Sequence, residues 1–109
     1  MGMKQKIMIV DDAEINRQIL MAILGDKYEY VQAENGCQGV HMLQHDLTID
    51  LILLDINMPE MNGFQMLERM NKFHWIDEIP VIMISSEEKR DIIITRADKN
   101  SWITLPMRD

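Results

Sequence analysis

The stretch "LILLDINMPEMNG", Leu51 to Gly63, runs four aliphatic residues into an aspartate and then breaks into a loop with Met-Pro and Asn-Gly steps. A continuous apolar run of strand length, rather than an alternating one, is expected of a strand covered by helices on both faces. Its last residue, Asp55, sits at the carboxyl lip of that strand. An acid there is either a loop-starting cap or a reactive group held at the edge of the core.

Read together with Asp50, the run is one of four strand-length segments: "KIMIV" (Lys6 to Val10), "EYVQA" (Glu29 to Ala33), "DLILL" (Asp50 to Leu54) and "PVIMI" (Pro80 to Ile84). Helical patterns fill the intervals. Ile15, Ile19, Ala22 and Ile23 recur at i, i+4, i+7 and i+8, the spacing of an inward helix face, and Gly25 stands where a helix would stop. A second helix is predicted from near Gly36 with Val40 and Leu43 inward, and a third from Gly63 through Phe64, Leu67 and Met70. Strands alternating with helices of this length make βαβ units around a parallel sheet, in one α/β domain. The 109 residues suffice for one such domain and not for two.

Composition narrows the function. A chain 47% hydrophobic and 27% charged is globular rather than disordered. Its net charge of -7 argues against direct binding of nucleic acid, which calls for clustered Lys and Arg. No apolar run reaches the roughly 20 residues that span a bilayer and no signal segment opens the chain, so a cytoplasmic protein with no membrane partner is expected. The single cysteine, Cys37, forms no internal disulfide and reads as a small packing residue near a helix start. His41, His45 and His74 read as surface histidines, and Trp75 as a packing or surface aromatic.

In an open parallel sheet, ligands bind beyond the carboxyl ends of the strands, where the strand order reverses. The residues arriving there are Asp11 and Asp12 after the first strand, Asp55 with Asn57 after the third, and Ser85 with Ser86 after the fourth. Each has a local explanation as a cap. Together the three acids repel: two unit charges about 4 Å apart cost on the order of 4 kcal/mol at an effective dielectric near 20. A divalent metal is the simplest counter-charge, and carboxylates with a backbone carbonyl suit Mg²⁺. Mg²⁺ beside a carboxylate suggests phosphoryl chemistry, with an Asp oxygen attacking phosphorus.

The paired acids of "IMIVDDAEIN", the lone acid of "LILLDINMPEMNG" and the hydroxyl of "PVIMISSEE", in that order and spacing, closely resemble the receiver domain of two-component response regulators. The resemblance implies a flavodoxin-like doubly wound sheet of order 2-1-3-4-5, spanning residues 4–109 as one domain. It implies that Asp55 is the phosphoacceptor, with Asp11, Asp12, Asp55 and the Asn57 carbonyl around Mg²⁺. It makes Ser85 the hydroxyl that closes on the phosphoryl group, Trp102 the switch aromatic, and Asn57 and Glu87 the positions that tune dephosphorylation. The implied partners are a sensor histidine kinase or histidine phosphotransfer protein and a downstream protein. The implied activity is acceptance of a phosphoryl group followed by a conformational change, not turnover.

The C-terminal fifth departs from the family. Its usual Lys-Pro is Leu105-Pro106 here, and a neutral aliphatic cannot pair with phosphate. "DIIIT" has the β-branched run of a strand where the fourth helix is expected. Only Met107, Arg108 and Asp109 follow Pro106, so the last helix is expected to be missing and apolar surface to favour a homodimer. A second reading therefore stands beside the first: a receiver-like interaction module independent of phosphorylation, because Leu105 replaces the lysine. A third, a hydrolase with an Asp nucleophile resembling the haloacid-dehalogenase group, would want an Asp as general acid two residues after Asp55, where Asn57 stands.

Overall fold

The structure, a computed structural model, describes residues 4–56, 58–84, 91–95 and 102–106, with the backbone alone at 76, 91–95 and 102–106. Strand β1 (Gln5–Val10) leads into helix α1 (Glu14–Leu24), β2 (Tyr28–Ala33), α2 (Gly36–His45), β3 (Leu51–Asp55) and α3 (Gly63–Lys72). A short 3-10 turn (Trp75–Asp77), β4 (Val81–Ile84), β5 (Asp91–Thr95) and β6 (Trp102–Pro106) complete the described chain. The sheet order is β2-β1-β3-β4-β5-β6. Strands β1 to β4 are mutually parallel, with Val10 beside both Ala33 and Leu54, and Asp55 beside Ile84.

The alternation of side chains along each strand divides the core in two. On one face Met8, Val10, Ile52, Leu54, Val81 and Met83 meet Val40 and Leu43 of α2 and Met66, Leu67 and Met70 of α3. On the other, Ile7, Ile9 and Leu53 meet Leu20, Met21 and Leu24 of α1. Helices on both faces explain why the strands are apolar without a break. Five of the eleven methionines (Met8, Met58, Met66, Met70 and Met83) fill the first of these clusters, as a flexible thioether suits irregular gaps.

Helix ends follow from local chemistry. Asn35 caps α2 by accepting the Gln38 N–H at 2.8 Å. Asn62 and Gln65 cap α3 reciprocally: each backbone N–H donates to the other's side-chain oxygen, both at 2.9 Å. Helix α1 stops at Gly25, whose φ of 89° favours glycine.

Three expectations need correction. The inward face of α1 is Arg17, Leu20, Met21 and Leu24, while Ile15, Ile19 and Ile23 are 66%, 49% and 74% exposed. Every position from Ile19 to Leu24 is apolar, so periodicity establishes the helix and leaves its rotation open. Cys37 is exposed on α2 rather than packed. The sheet order is not 2-1-3-4-5 with the Leu105-Pro106 strand beside β4: an additional strand, Asp91–Thr95, pairs antiparallel with β4, and Trp102–Pro106 pairs antiparallel with that strand at the sheet edge. Residues 85–90, the whole link from β4 to β5, are too few for a parallel crossover, which takes about a dozen or more residues. The "DIIIT" run is thus a strand, as its β-branching favours.

Candidate functional site

Because α1 and α2 carry the chain to opposite sides of β1, the order reverses between β1 and β3, and the acids lie at that reversal. Neighbouring strands hold their backbones. The Asp11 N–H donates to the Ala33 carbonyl that ends β2 (3.1 Å), and the Ile56 N–H, just past Asp55, donates to the Ile84 carbonyl that ends β4 (3.2 Å). The Ile56 carbonyl in turn accepts from Gly63 N–H at 3.0 Å, folding the β3–α3 loop back over the strand end. Gly63 is required there: a Cβ would stand 2.5 Å from the Asp55 carbonyl oxygen and 2.9 Å from Ile56 Cα, both backbone atoms.

Asp11, Asp12 and Asp55 converge, each offering a carboxylate oxygen within 4.8 Å of the other two. Asp11 and Asp55 are buried at 6% and 4% exposure, and Asp12 faces solvent. Asp12 is not the cap of α1. That position belongs to Ala13, and Asp11 Oδ1 accepts the Ala13 N–H at 2.9 Å and the Asn16 amide at 3.4 Å. Burial pushes the Asp11 carboxyl above its ordinary value, although those two hydrogen bonds favour the charged form; Asp12 adds to the rise and Arg17 opposes it.

Arg17 is the functional residue that sequence reasoning missed. Only 7% exposed, it donates through Nη1 to the Asp11 backbone carbonyl (2.6 Å) and through Nε to Gln32 Oε1 on β2 (2.9 Å). It ties the acid-bearing β1–α1 turn to its neighbour strand and lays a fixed positive charge under the acids. In sequence it is one charged residue of a helix and carries no mark of burial. Three carboxylates against one guanidinium leave two formal negative charges, the charge of one divalent cation. Hard oxygen donors fit Mg²⁺ in kind and in charge.

The profile of the response regulator receiver domain matches residues 7–104. The chain belongs to that family. Chemotaxis protein CheY1 of Helicobacter pylori is 33% identical over 105 residues, covering 93% of this chain and 85% of that protein. Two-component response regulator ORR3 of Oryza sativa is 33% identical over 82 residues, or 74% of this chain, which span 63% of the rice protein. Among solved structures, chemotaxis protein CheY4 of Vibrio cholerae superposes with a TM-score of 0.70 at 29% identity, covering 79% of this chain and 72% of that one. A receiver protein from Pseudomonas putida shares the fold at a TM-score of 0.71 and 19% identity, covering 81% and 73%.

This receiver domain therefore carries its acidic pocket at the carboxyl ends of β1 and β3. Asn57, Ser85, Ser86 and Glu87 lie outside the described residues. Trp102 and Leu105 lie on β6, where their backbones pair with Thr95 and Ile92. Strand β5 separates β6 from β4, so Leu105 is two strands removed from β4 rather than on its neighbour. His41 and His45 stand exposed on α2, and His74 pairs with Asp77 at 3.6 Å. Trp75 stacks on Phe73 (centroids 4.9 Å apart) and borders the core. Among the described residues, no helix is long and apolar enough to cross a membrane.

Proposed function

We propose that Asp55 accepts a phosphoryl group from a phosphohistidine of a sensor kinase or a histidine phosphotransfer protein, in a reaction that requires Mg²⁺ at the acidic pocket. The observation that carries this reading is the convergence of Asp55 with Asp11 and Asp12 at the sheet's reversal point. In the reaction an Asp55 carboxylate oxygen forms a bond to phosphorus as the phosphorus–nitrogen bond of the donor breaks. The donor imidazole keeps that electron pair and takes a proton from solvent. Mg²⁺, when bound, supplies charge neutralisation for the phosphoryl oxygens.

The chain's own residues fix the geometry. Burial of Asp55 at the end of a rigid strand orients the nucleophile, and the Gly63 turn packs directly on its carbonyl. Asp11, Asp12 and Asp55 would hold the cation, with the Asn57 carbonyl as a further oxygen ligand. The exposed Ile15, Ile19 and Ile23 face, on the helix that begins two residues past Asp12, is the surface against which a donor protein lies during transfer. Ser85 then closes on the phosphoryl oxygens, Trp102 follows it, and Asn57 and Glu87 set how fast water removes the group. That change in charge shifts an equilibrium read by a downstream partner.

The Leu105 substitution favours a second reading, an interaction module that keeps the fold without switching. Incubation with a phosphohistidine-bearing phosphotransfer protein separates the two. Mg²⁺-dependent transfer that is abolished by chelator and by Asp55→Asn supports the acceptor. Absence of transfer from several donors, in a chain that still binds Mg²⁺, supports the module.

A further inference from the structure

We propose that His41 and His45 on the exposed face of α2 form a bidentate site for a borderline divalent transition metal of the Zn²⁺, Ni²⁺ and Cu²⁺ class, separate from the acidic pocket. Residues four apart on a helix stand one above the other, and their rings meet here, with centroids 4.7 Å apart and planes inclined by 52°. His45 Nδ1 lies 2.9 Å from the His41 carbonyl oxygen. A carbonyl only accepts, so Nδ1 carries the hydrogen and Nε2 is left as the ligand atom. This is the arrangement by which metal-binding histidines are oriented, the second ring nitrogen donating to a carbonyl. A histidine in the last turn is also a partner for the helix dipole, but that accounts for His45 alone and not for His41 one turn earlier.

The two sites sort metals by chemistry. Imidazole nitrogen suits zinc, nickel and copper, whereas the carboxylate oxygens of Asp11, Asp12 and Asp55 suit magnesium. Two protein ligands leave two positions of a tetrahedral zinc open to water or to an incoming donor, so the site is an open one. His74, engaged with Asp77 on another element, serves as an internal control.

The test is a Zn²⁺ titration of the full chain with excess Mg²⁺ present, followed through the imidazole nitrogen resonances. The expected result is that His41 and His45 signals move together and saturate at one zinc per chain, while His74 stays still and the melting midpoint rises. His41→Gln and His45→Ala should each weaken zinc binding at least tenfold, and Asp55→Asn should leave it unchanged. Unmoved His41 and His45 signals at millimolar zinc overturn the proposal. So does zinc affinity that survives both histidine substitutions, or that vanishes in Asp55→Asn, which would place the zinc in the acidic pocket.

Discussion

Replacing Gly63 by alanine probes the link between the loop motif and the acid it serves. The added Cβ would lie 2.5 Å from the Asp55 carbonyl oxygen, where ordinary contact begins at 3.4 Å, and 3.1 Å from Met83 Cε. The methionine tip can swing aside. The carbonyl cannot, because it belongs to the last residue of a strand buried between β1 and β4. The first turn of α3 must therefore move by the better part of an ångström, or the end of β3 must.

Overpacking against backbone atoms falls at the upper end of the usual range, about 2–3 kcal/mol, and the better helix propensity of alanine returns about 1 kcal/mol. A net loss of about 1–2 kcal/mol corresponds to a fall in Tm of roughly 4–16 °C for a domain of this size. Displacement of Asp55 should also weaken Mg²⁺ binding. Gly25→Ala is the control: it too strains the chain, at φ 89°, but nothing lies within 4 Å of its Cβ, so stability should fall with Mg²⁺ affinity preserved. Thermal denaturation and calorimetric Mg²⁺ titration of both variants read these effects. A Gly63→Ala protein with parental stability and parental Mg²⁺ affinity would refute the close-packing argument.

Arg17→Met leaves the buried Asp11 carbonyl without its donor and should cost about 1–3 kcal/mol, measured by urea denaturation, while the exposed Gln32 amide turns to water at little cost. Because the β1–α1 turn loses its tie, Mg²⁺ affinity should fall despite the more negative pocket; a rise would show that Arg17 acts by charge alone. Acid should weaken the fold near the bottom of the sheet. There Asp46, held at about 2 by hydrogen bonds from Thr48 and from Lys6 (Nζ to Oδ2, 2.9 Å), lies below the ordinary value of 3.8. Its folded state is the more acidic, so its contribution is present above pH 4 and is lost as pH falls from about 4 to about 2. Asp46→Asn should flatten the acid limb of a stability profile across that window. Ile19→Glu, on the exposed face of α1, should leave Tm nearly unchanged and slow phosphoryl transfer from a donor protein, while transfer from a small acyl phosphate proceeds at the parental rate.

The parallel half of the fold was legible because its signals are local and redundant. Unbroken apolar runs marked β1, β3 and β4, and helical patterns placed the starts of α2 near Gly36 and of α3 at Gly63. The convergence of Asp11, Asp12 and Asp55 followed from strand ends and a topological rule. What the sequence left open was directional. Helix α1 is apolar almost all round over its last turns, so hydrophobicity did not settle which residues face the sheet. The buried arginine that does so looks, in sequence, like any surface charge. The C-terminal strands turned on distance along the chain: a link too short for a crossover helix forces β5 antiparallel, whatever the family pattern suggests.

Whether Asp55 accepts a phosphoryl group is read from intact mass. The folded chain is exposed to Mg²⁺ and a small acyl phosphate, beside Asp55→Asn and a chelated control. The expected result is a gain of one phosphoryl group in the parent alone, lost in both controls and mapped to Asp55. An unchanged mass in a chain that binds Mg²⁺, or a gain that persists in Asp55→Asn, would contradict it.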